Sequence, residues 1–511
     1  MQKIEADYNQ QWFLPPRVED WVPEGHPARF IREIVDGMDL EALGFARQLP
    51  VEGRPPYANE LLLRVWLFGY WERIRSSRKL EKACRRDLAF IWLCGNHAPD
   101  HNTLWRFFRD NKKALRVVFK QTVRVAIEMN LVGLVVQAVD GTKLQAACSG
   151  SKGFDRKSLE TLLGRLDGQI AEIEAMIEKE NHQTGTDEPS LPEKLHKREA
   201  LRARVAEALG KIDDGQTKHC CPTEQDARRM KCDGKNRFGH NAQAMVDGKN
   251  QVIVAIDVVN DATDSAQLVP MLKQAVANTG CTTVTTLADG GYASGEQFEA
   301  AAQLGCDVLG KLPASSKNPH ENPYHASNFS YDESSDTFVC PQGRHLPFLR
   351  TRRKWKKSVK VYRSTAVCGN CPVRKQCTKD RHGRTIELQP GRAEIERMRV
   401  KLTDEQNQQL LKQRGRIVEP VFAQIKQNDG FRRWTLYGLE NVRTQWALLC
   451  STWNLRKIFQ TWFMRQGNAP VNAATCLRRR QPQHLFALFG KGCCAPALRS
   501  DWFDGAFRLS A

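Results

Sequence analysis

Three acidic residues stand out by where they fall. Asp140 follows the apolar run LVGLVVQAV, and Asp289 follows VTTLA. Each run reads as a buried strand, so each aspartate is expected where a strand ends. Acidic groups at the ends of neighbouring strands converge on one edge of a sheet, where two carboxylates repel unless a cation lies between them. Glu419, in RGRIVEPVFAQIK, can supply a third carboxylate among basic residues. Such oxygen donors suit Mg²⁺ or Mn²⁺. A pair of these ions activates the attacking oxygen of a phosphodiester exchange and stabilises the leaving one. The rival reading is a pair of turns, since Asp140-Gly141 and Asp289-Gly290 are both dipeptides that turns favour.

Other reactive groups cluster further on. Cys340, Cys368, Cys371 and Cys377 lie in FVCPQG and VCGNCPVRKQC. A CxxC pair with two more thiols can close a tetrahedral Zn²⁺ site or hold an iron–sulfur cluster; the alternative is four free thiols. Cys84, Cys94, Cys148, Cys281, Cys306 and Cys450 stand singly in or beside apolar segments and read as small thiols of a reducing compartment. Between the clustered cysteines runs LRTRRKWKKSVKVYR, with Arg352, Arg353, Lys354, Lys356, Lys357 and Lys360 interleaved with Trp355 and Tyr362. Such a run can meet phosphates and stack on bases, or be only a solvated face. Asp264, in NDATDSAQL, is expected to cap a helix through Ala266 and Gln267. His240 reads as a strand residue facing its hairpin partner.

The elements that would position these groups form a consistent pattern. Residues 1–130 read as helical, with a basic stretch SSRKLEKACRRD, a loop GNHAPDHNT and a further helix capped by Asn102 or Thr103. This suits a helix-turn-helix or an ordinary helical bundle. From Leu131 the pattern changes to a strand, a hairpin around Asp247-Gly248, and β-α-β units, which together predict an α/β fold with a mixed sheet flanked by helices. Two segments interrupt it: a charged antiparallel helical hairpin over 155–213, and a polar, basic, cysteine-containing stretch over 312–400. Pro420 forbids a regular helix through Glu419, so a helix starts there or kinks, and Lys426 can share its face. The tail, 465–511, carries no assignable pattern.

Size and charge bound the function. A chain of 511 residues exceeds one core, and its net charge of +19 and pI near 9.3 attract polyanions. No run approaches the length a membrane crossing needs. The start, MQKIEADYNQ, lacks a basic-then-apolar stretch, so the chain is expected in the cytoplasm, with the nucleoid.

At this point the sequence resembles a family. Residues 15–460 look like bacterial insertion-sequence transposases with an RNase H-like catalytic domain and a DDE triad. HPARF, GRPPY and LLLRVWLFGYWERIRSSRKLE are similar to their InsH-like amino-terminal domain. AVDGTKLQA resembles the first-aspartate block, DARRMK with GHNAQAMVD the segment after it, LADGGYAS the second-aspartate block, and RGRIVEPVFAQIK with GFRRW the glutamate block. A tyrosine that often precedes the arginine is absent from QLLKQRGR.

The resemblance implies an RNase H-like domain over 131–464 behind a DNA-binding domain over 1–130. It assigns Asp140, Asp289 and Glu419 as ligands of Mg²⁺ or Mn²⁺, with Arg414 and Lys426 as DNA-contacting companions. It further implies double-stranded DNA as partner, both terminal inverted repeats and target, cut and joined by a homo-oligomer. Two rivals stay open: a DNA-binding descendant without catalysis, and a metal-dependent repair nuclease.

Overall fold

The computed structural model describes residues 17–46, 55–149, 153–181, 190–312, 322–354, 357–388 and 390–467. Contacts divide the chain into two units, Met1–Leu131 with Ala447–Ala511, and Val132–Trp446. Among the described residues no helix is long and apolar enough to cross a membrane.

The first unit is helical: α1 (Pro27–Asp36), α2 (Asn59–Trp71), α3 (Ser77–Arg86), α4 (Leu88–Leu93), α5 (His101–Asp110) and α6 (Lys112–Glu128). α2, NELLLRVWLFGYW, is apolar nearly all round, and Leu62 to Tyr70 are largely buried. α3 is two-faced. Leu80 and Cys84, four apart, are buried, while Arg78, Lys79, Lys82, Arg85 and Arg86 are exposed. The cap of α5 is Asp100, not Asn102 or Thr103: its extended backbone leaves the carboxylate free to accept from Thr103 N at 2.7 Å.

The second unit is built on a six-stranded mixed sheet of β1 (Val136–Gln145), β2 (Arg228–Cys232), β3 (Lys235–Asp247), β4 (Ile253–Val259), β5 (Thr285–Ala288) and β6 (Val308–Gly310). β2 and β4 share one edge of β3; β1, β5 and β6 follow on its other side. This is the expected RNase H-like arrangement. The hairpin of β3 and β4 turns at Asp247, whose carboxylate accepts from Gly133 N, Leu134 N and Lys249 N.

One expectation needs correction. β1 does not end at Asp140 but runs on to Gln145, because β3 pairs with it antiparallel through Gln145↔Gly239. Its parallel pairing with β5 covers only Val136–Ala138. Asp140 therefore sits within a strand whose other edge has just lost its neighbour.

Between β1 and β2 stand α7 (Arg156–Asn181) and α8 (Ser190–Asp213), antiparallel as predicted. Leu159, Leu166, Val205 and Ala208 form their small buried seam with Cys220. α9 (Leu268–Thr279) and α10 (Gly295–Gln303) flank the sheet.

The segment read from sequence only as basic and cysteine-containing holds a second, antiparallel sheet: β7 (Ser330–Asp332), β8 (Thr337–Val339), β9 (His345–Lys354), β10 (Lys357–Tyr362) and β11 (Ile386–Leu388). Phe329, Phe338, Leu346, Tyr362 and Ile386 are its core. The short helices α11 (Thr365–Gly369) and α12 (Arg374–Cys377) carry Cys368 and Cys377, with Cys371 in the turn between them. α13 (Arg392–Lys401), α14 (Glu405–Lys412), α15 (Arg414–Ala423) and α16 (Leu439–Gly467) complete the described chain.

α15 does not start at Pro420; it runs through it and widens into a π-turn over Gln424–Asn428. Proline cannot bond the carbonyl four residues back, that of Arg416. The Gln251 side chain donates to this carbonyl instead, at 3.1 Å.

Candidate active site

The parallel register aligns Ala138 with Leu287, so two residues further on Asp140 and Asp289 stand level at the point where the β1–β5 ladder stops. Neither is idle in a loop. Asp140 is strand residue opposite Ala244 of β3. Asp289 caps the short turn Gly290–Tyr292, accepting from Gly291 N at 2.8 Å. The turn reading thus holds for Asp289 and fails for Asp140.

The charge balance is specific. Burial pushes the Asp140 carboxyl above the ordinary aspartate range; the Arg414 guanidinium and its hydrogen bond pull it back, and the Asp289 charge pushes it up. Arg414 Nη1 lies 3.0 Å from Asp140 Oδ2, with about a fifth of each side chain exposed. α15 is thereby placed against β1, and it also packs on β3. Glu419 lies further along α15 and is exposed. Its oxygen comes within 2.8 Å of where a Cβ on Gly415 would stand, so glycine there leaves it room.

Among the described residues, no three of His, Cys, Asp or Glu are gathered closely enough to hold a metal ion. The structure brings Asp140, Asp289 and Arg414 together but does not draw Glu419 into one group with the two aspartates. The donor set still fits a hard cation: a half-exposed edge, a buried carboxylate with a second beside it, and oxygen ligands only. Arg414 stands as the positive charge at Asp140.

Asp264 departs from expectation. α9 begins at Leu268 with Gln267 before it, and no side chain caps it. The Asp264 carboxylate turns instead to the sheet, where Oδ1 accepts from Asn241 Nδ2 at 2.6 Å and Gln243 Nε2 at 2.7 Å. Gln243 in turn accepts from the buried Tyr292 hydroxyl. Local sequence gave Asp264 a plausible helix to cap; two buried amides offered stronger partners. The missed signal was Asn241 and Gln243 themselves, polar at alternate positions of a strand otherwise buried along this stretch. His240, just before Asn241 and fully buried, faces Glu224 at 3.4 Å and the Trp434 ring.

The basic candidates divide. Lys426 Nζ lies 3.5 Å from Asp233. Arg352 pairs with Glu387 across the second sheet, and faces a cavity of about 1180 Å³ with Arg350, Arg363, Arg392 and Arg399. Ser265 and Ala293–Gln297, close in sequence to Asp264 and Asp289, line the same cavity. Arg353, on the other face of β9, is exposed. Lys356 and Trp355 lie outside the described residues, as do the side chains of Lys354 and Lys357.

Cys340, Cys368, Cys371 and Cys377 line one small cavity of about 30 Å³, room for a single water-sized occupant. Arg344 N donates to Cys340 Sγ at 3.4 Å. Burial pushes the Cys377 thiol up, Arg384 opposes this, and the other three thiols add to it. Of the singly placed cysteines, all are buried except the half-buried Cys281.

Comparison with known families fits both units. Residues 339–459 match the model described as Transposase DDE domain, and residues 16–110 match that described as Transposase domain (DUF772). The first match includes Glu419 and the four clustered cysteines but begins after Asp140 and Asp289. No curated protein matches the chain.

Proposed function

We propose, from the premise that the chain is an insertion-sequence DNA transposase with a DDE domain, that it cuts the ends of its element and joins the freed 3′-hydroxyls to target DNA at Asp140, Asp289 and Glu419. The observation that carries this is the level placement of Asp140 and Asp289 where the β1–β5 ladder stops. DDE transposases generally use divalent metal. Here Asp140 and Asp289 would hold Mg²⁺ or Mn²⁺ with Glu419 as a further ligand, and the ions, when bound, would activate the attacking oxygen and stabilise the leaving one.

The residues themselves orient and neutralise. Arg414 offsets the buried charge of Asp140, and the Gly291 amide fixes the Asp289 carboxylate. The arginine-lined cavity beside Ser265 and Ser294 supports a path for a phosphate backbone toward these carboxylates. The exposed basic face of α3, with Arg78, Lys79, Lys82, Arg85 and Arg86, supports binding of inverted repeats by the helical unit. Double-stranded DNA is then the partner at both places, with the reaction run by a homo-oligomer near the nucleoid. A strand-transfer assay on plasmid carrying the element's ends, with Mg²⁺ or Mn²⁺, tests this. Joined products are expected from the wild type and none from Glu419→Ala. Binding without cutting by both proteins would favour a DNA-binding descendant.

A structural Zn²⁺ at the four cysteines is a further proposal: they line one small cavity, although the structure does not draw three of them into a closed ligand set. About one equivalent of zinc per chain is expected by elemental analysis, lost in Cys368→Ser. Zinc-free wild-type protein with an unchanged melting temperature would remove that assignment.

A further inference from the structure

Resting on the reading that Asp140 and Asp289 hold divalent cations, we propose that Asp264 is a further ligand of that site, sharing a cation with Asp289. The DDE triad does not call for it, and its place before α9 gives it a ready structural alternative, which the structure shows it does not take.

The two oxygens of Asp264 differ in their surroundings. Oδ1 is held by two amide donors, Asn241 Nδ2 and Gln243 Nε2, both on β3. This fixes the carboxylate plane and leaves Oδ2 on the side of Gly291 and Lys143. The nearest cation to Oδ2 is Lys143 Nζ at 3.9 Å, beyond hydrogen-bond distance. Carboxylates that ligate metals are commonly oriented in this way, one oxygen hydrogen-bonded so that the other is presented.

Two glycines place Asp264 beside the other aspartates. Asp289 Oδ1 and Asp264 Oδ2 lie 3.0 and 3.6 Å from the point where a Cβ on Gly291 would stand. On β1, Asp264 Oδ1 lies 2.7 Å from the corresponding point on Gly141, the residue after Asp140. Asp140 and Gly141 face opposite sides of the sheet. However, β5 has stopped pairing with β1 by then, so groups from both faces reach the same bare edge. A side chain at either glycine would fill the space between these carboxylates.

Carboxylates alone would be an acidic patch, and a second feature separates this one. Asn241 is fully buried, and its Oδ1 has no hydrogen-bond partner. That oxygen lies 3.0 Å from the same Gly141 point, on the side of Asp264. A buried acceptor without a donor is destabilising unless something satisfies it. The unpartnered amide oxygen and the paired carboxylates of Asp264 and Asp289 thus offer oxygen donors beside one edge, with Lys143 and Arg414 the cations at its borders.

The test is Mn²⁺ binding to the full chain without DNA, followed by paramagnetic resonance, for the wild type, Asp264→Asn and Asp289→Asn. Asp264→Asn keeps shape and can still accept from the amides. It is expected to weaken Mn²⁺ binding by about tenfold or more, as Asp289→Asn does. Equal binding by wild type and Asp264→Asn, with loss in Asp289→Asn, overturns the proposal and leaves the triad reading standing. No Mn²⁺ binding by the wild type overturns both.

Should Asp264→Asn fail to fold, wild-type protein loaded with Fe²⁺ and treated with ascorbate and peroxide decides instead. Backbone cuts near 264 as well as near 140 and 289 support the assignment. Cuts near 140 and 289 with none near 264 refute it.

Discussion

Asp140→Asn and Asp289→Asn proteins are expected to lose strand cleavage by on the order of 10³-fold or more while binding end DNA at least as tightly as the wild type. Metal ions at such sites supply several kcal/mol of transition-state charge stabilisation, and each 1.36 kcal/mol is a factor of ten in rate. Losing a carboxylate that holds them therefore removes three or more decades. The fold should tolerate both changes. Asparagine caps a helical turn about as well as aspartate, so Asp289→Asn can still accept from Gly291 N. Asp140→Asn removes a buried charge that burial and Asp289 both disfavour. DNA affinity should not fall, because each substitution makes the site less repulsive to phosphate. Gel-shift titration on end DNA and gel-resolved cleavage kinetics separate the two effects. Cleavage within tenfold of wild type in both variants would remove these residues from the chemistry.

How much of this was legible depends on how far apart the deciding residues lie. LVGLVVQAVD and VTTLAD announce two buried strands with acidic residues at their far ends, because the run of apolar residues is itself the signal. The α7–α8 hairpin was legible for the same reason, through its repeated Leu and Ile at helical spacing. What sequence could not show was that β1 runs past Asp140, since that depends on pairing with β3 about a hundred residues later.

The second sheet was illegible for a related reason. β7, β8 and β11 are three residues each, too short for an alternating pattern, and only their mutual pairing makes them strands. Asp264 was misread because its near neighbours suggest a cap, while Asn241 and Gln243 stand some twenty residues away on another element. The family resemblance gave Glu419 a role and Pro420 a choice of two helices. That the chain would run through Pro420, with Gln251 satisfying the freed carbonyl, needed the tertiary structure.

Arg414 is where two readings of the same residue lead to different measurements. The family resemblance gave it to DNA phosphate; the structure sets its guanidinium against Asp140. If the second is its main work, Arg414→Ala destabilises the protein in the absence of any DNA. Removing one partner of a fully buried pair costs roughly 3–5 kcal/mol. With about a fifth of each side chain exposed, about 2–3 kcal/mol at neutral pH is expected here, read by denaturant unfolding.

The loss should also depend on pH with a defined sign. The carboxyl of Asp140 already lies above its ordinary value of 3.8, first through burial. Without Arg414, burial and the Asp289 charge raise it further, opposed by the hydrogen bond from Gly141 N. A carboxyl raised in the folded state favours folding fully below its unfolded pKa, and that contribution is lost as pH rises through the folded value. The gap between wild type and Arg414→Ala should therefore be small near pH 3.5, where Asp140 is protonated in both, and widen toward pH 7. A gap independent of pH would mean the arginine stabilises by packing alone. Mg²⁺ supplies the last discrimination. A cation bound at Asp140 can stand in for the missing guanidinium, so millimolar Mg²⁺ should raise the stability of Arg414→Ala more than that of the wild type, by the linkage between binding and folding. Equal gains in the two proteins would place the cation elsewhere and leave Arg414 as the permanent counter-charge of Asp140.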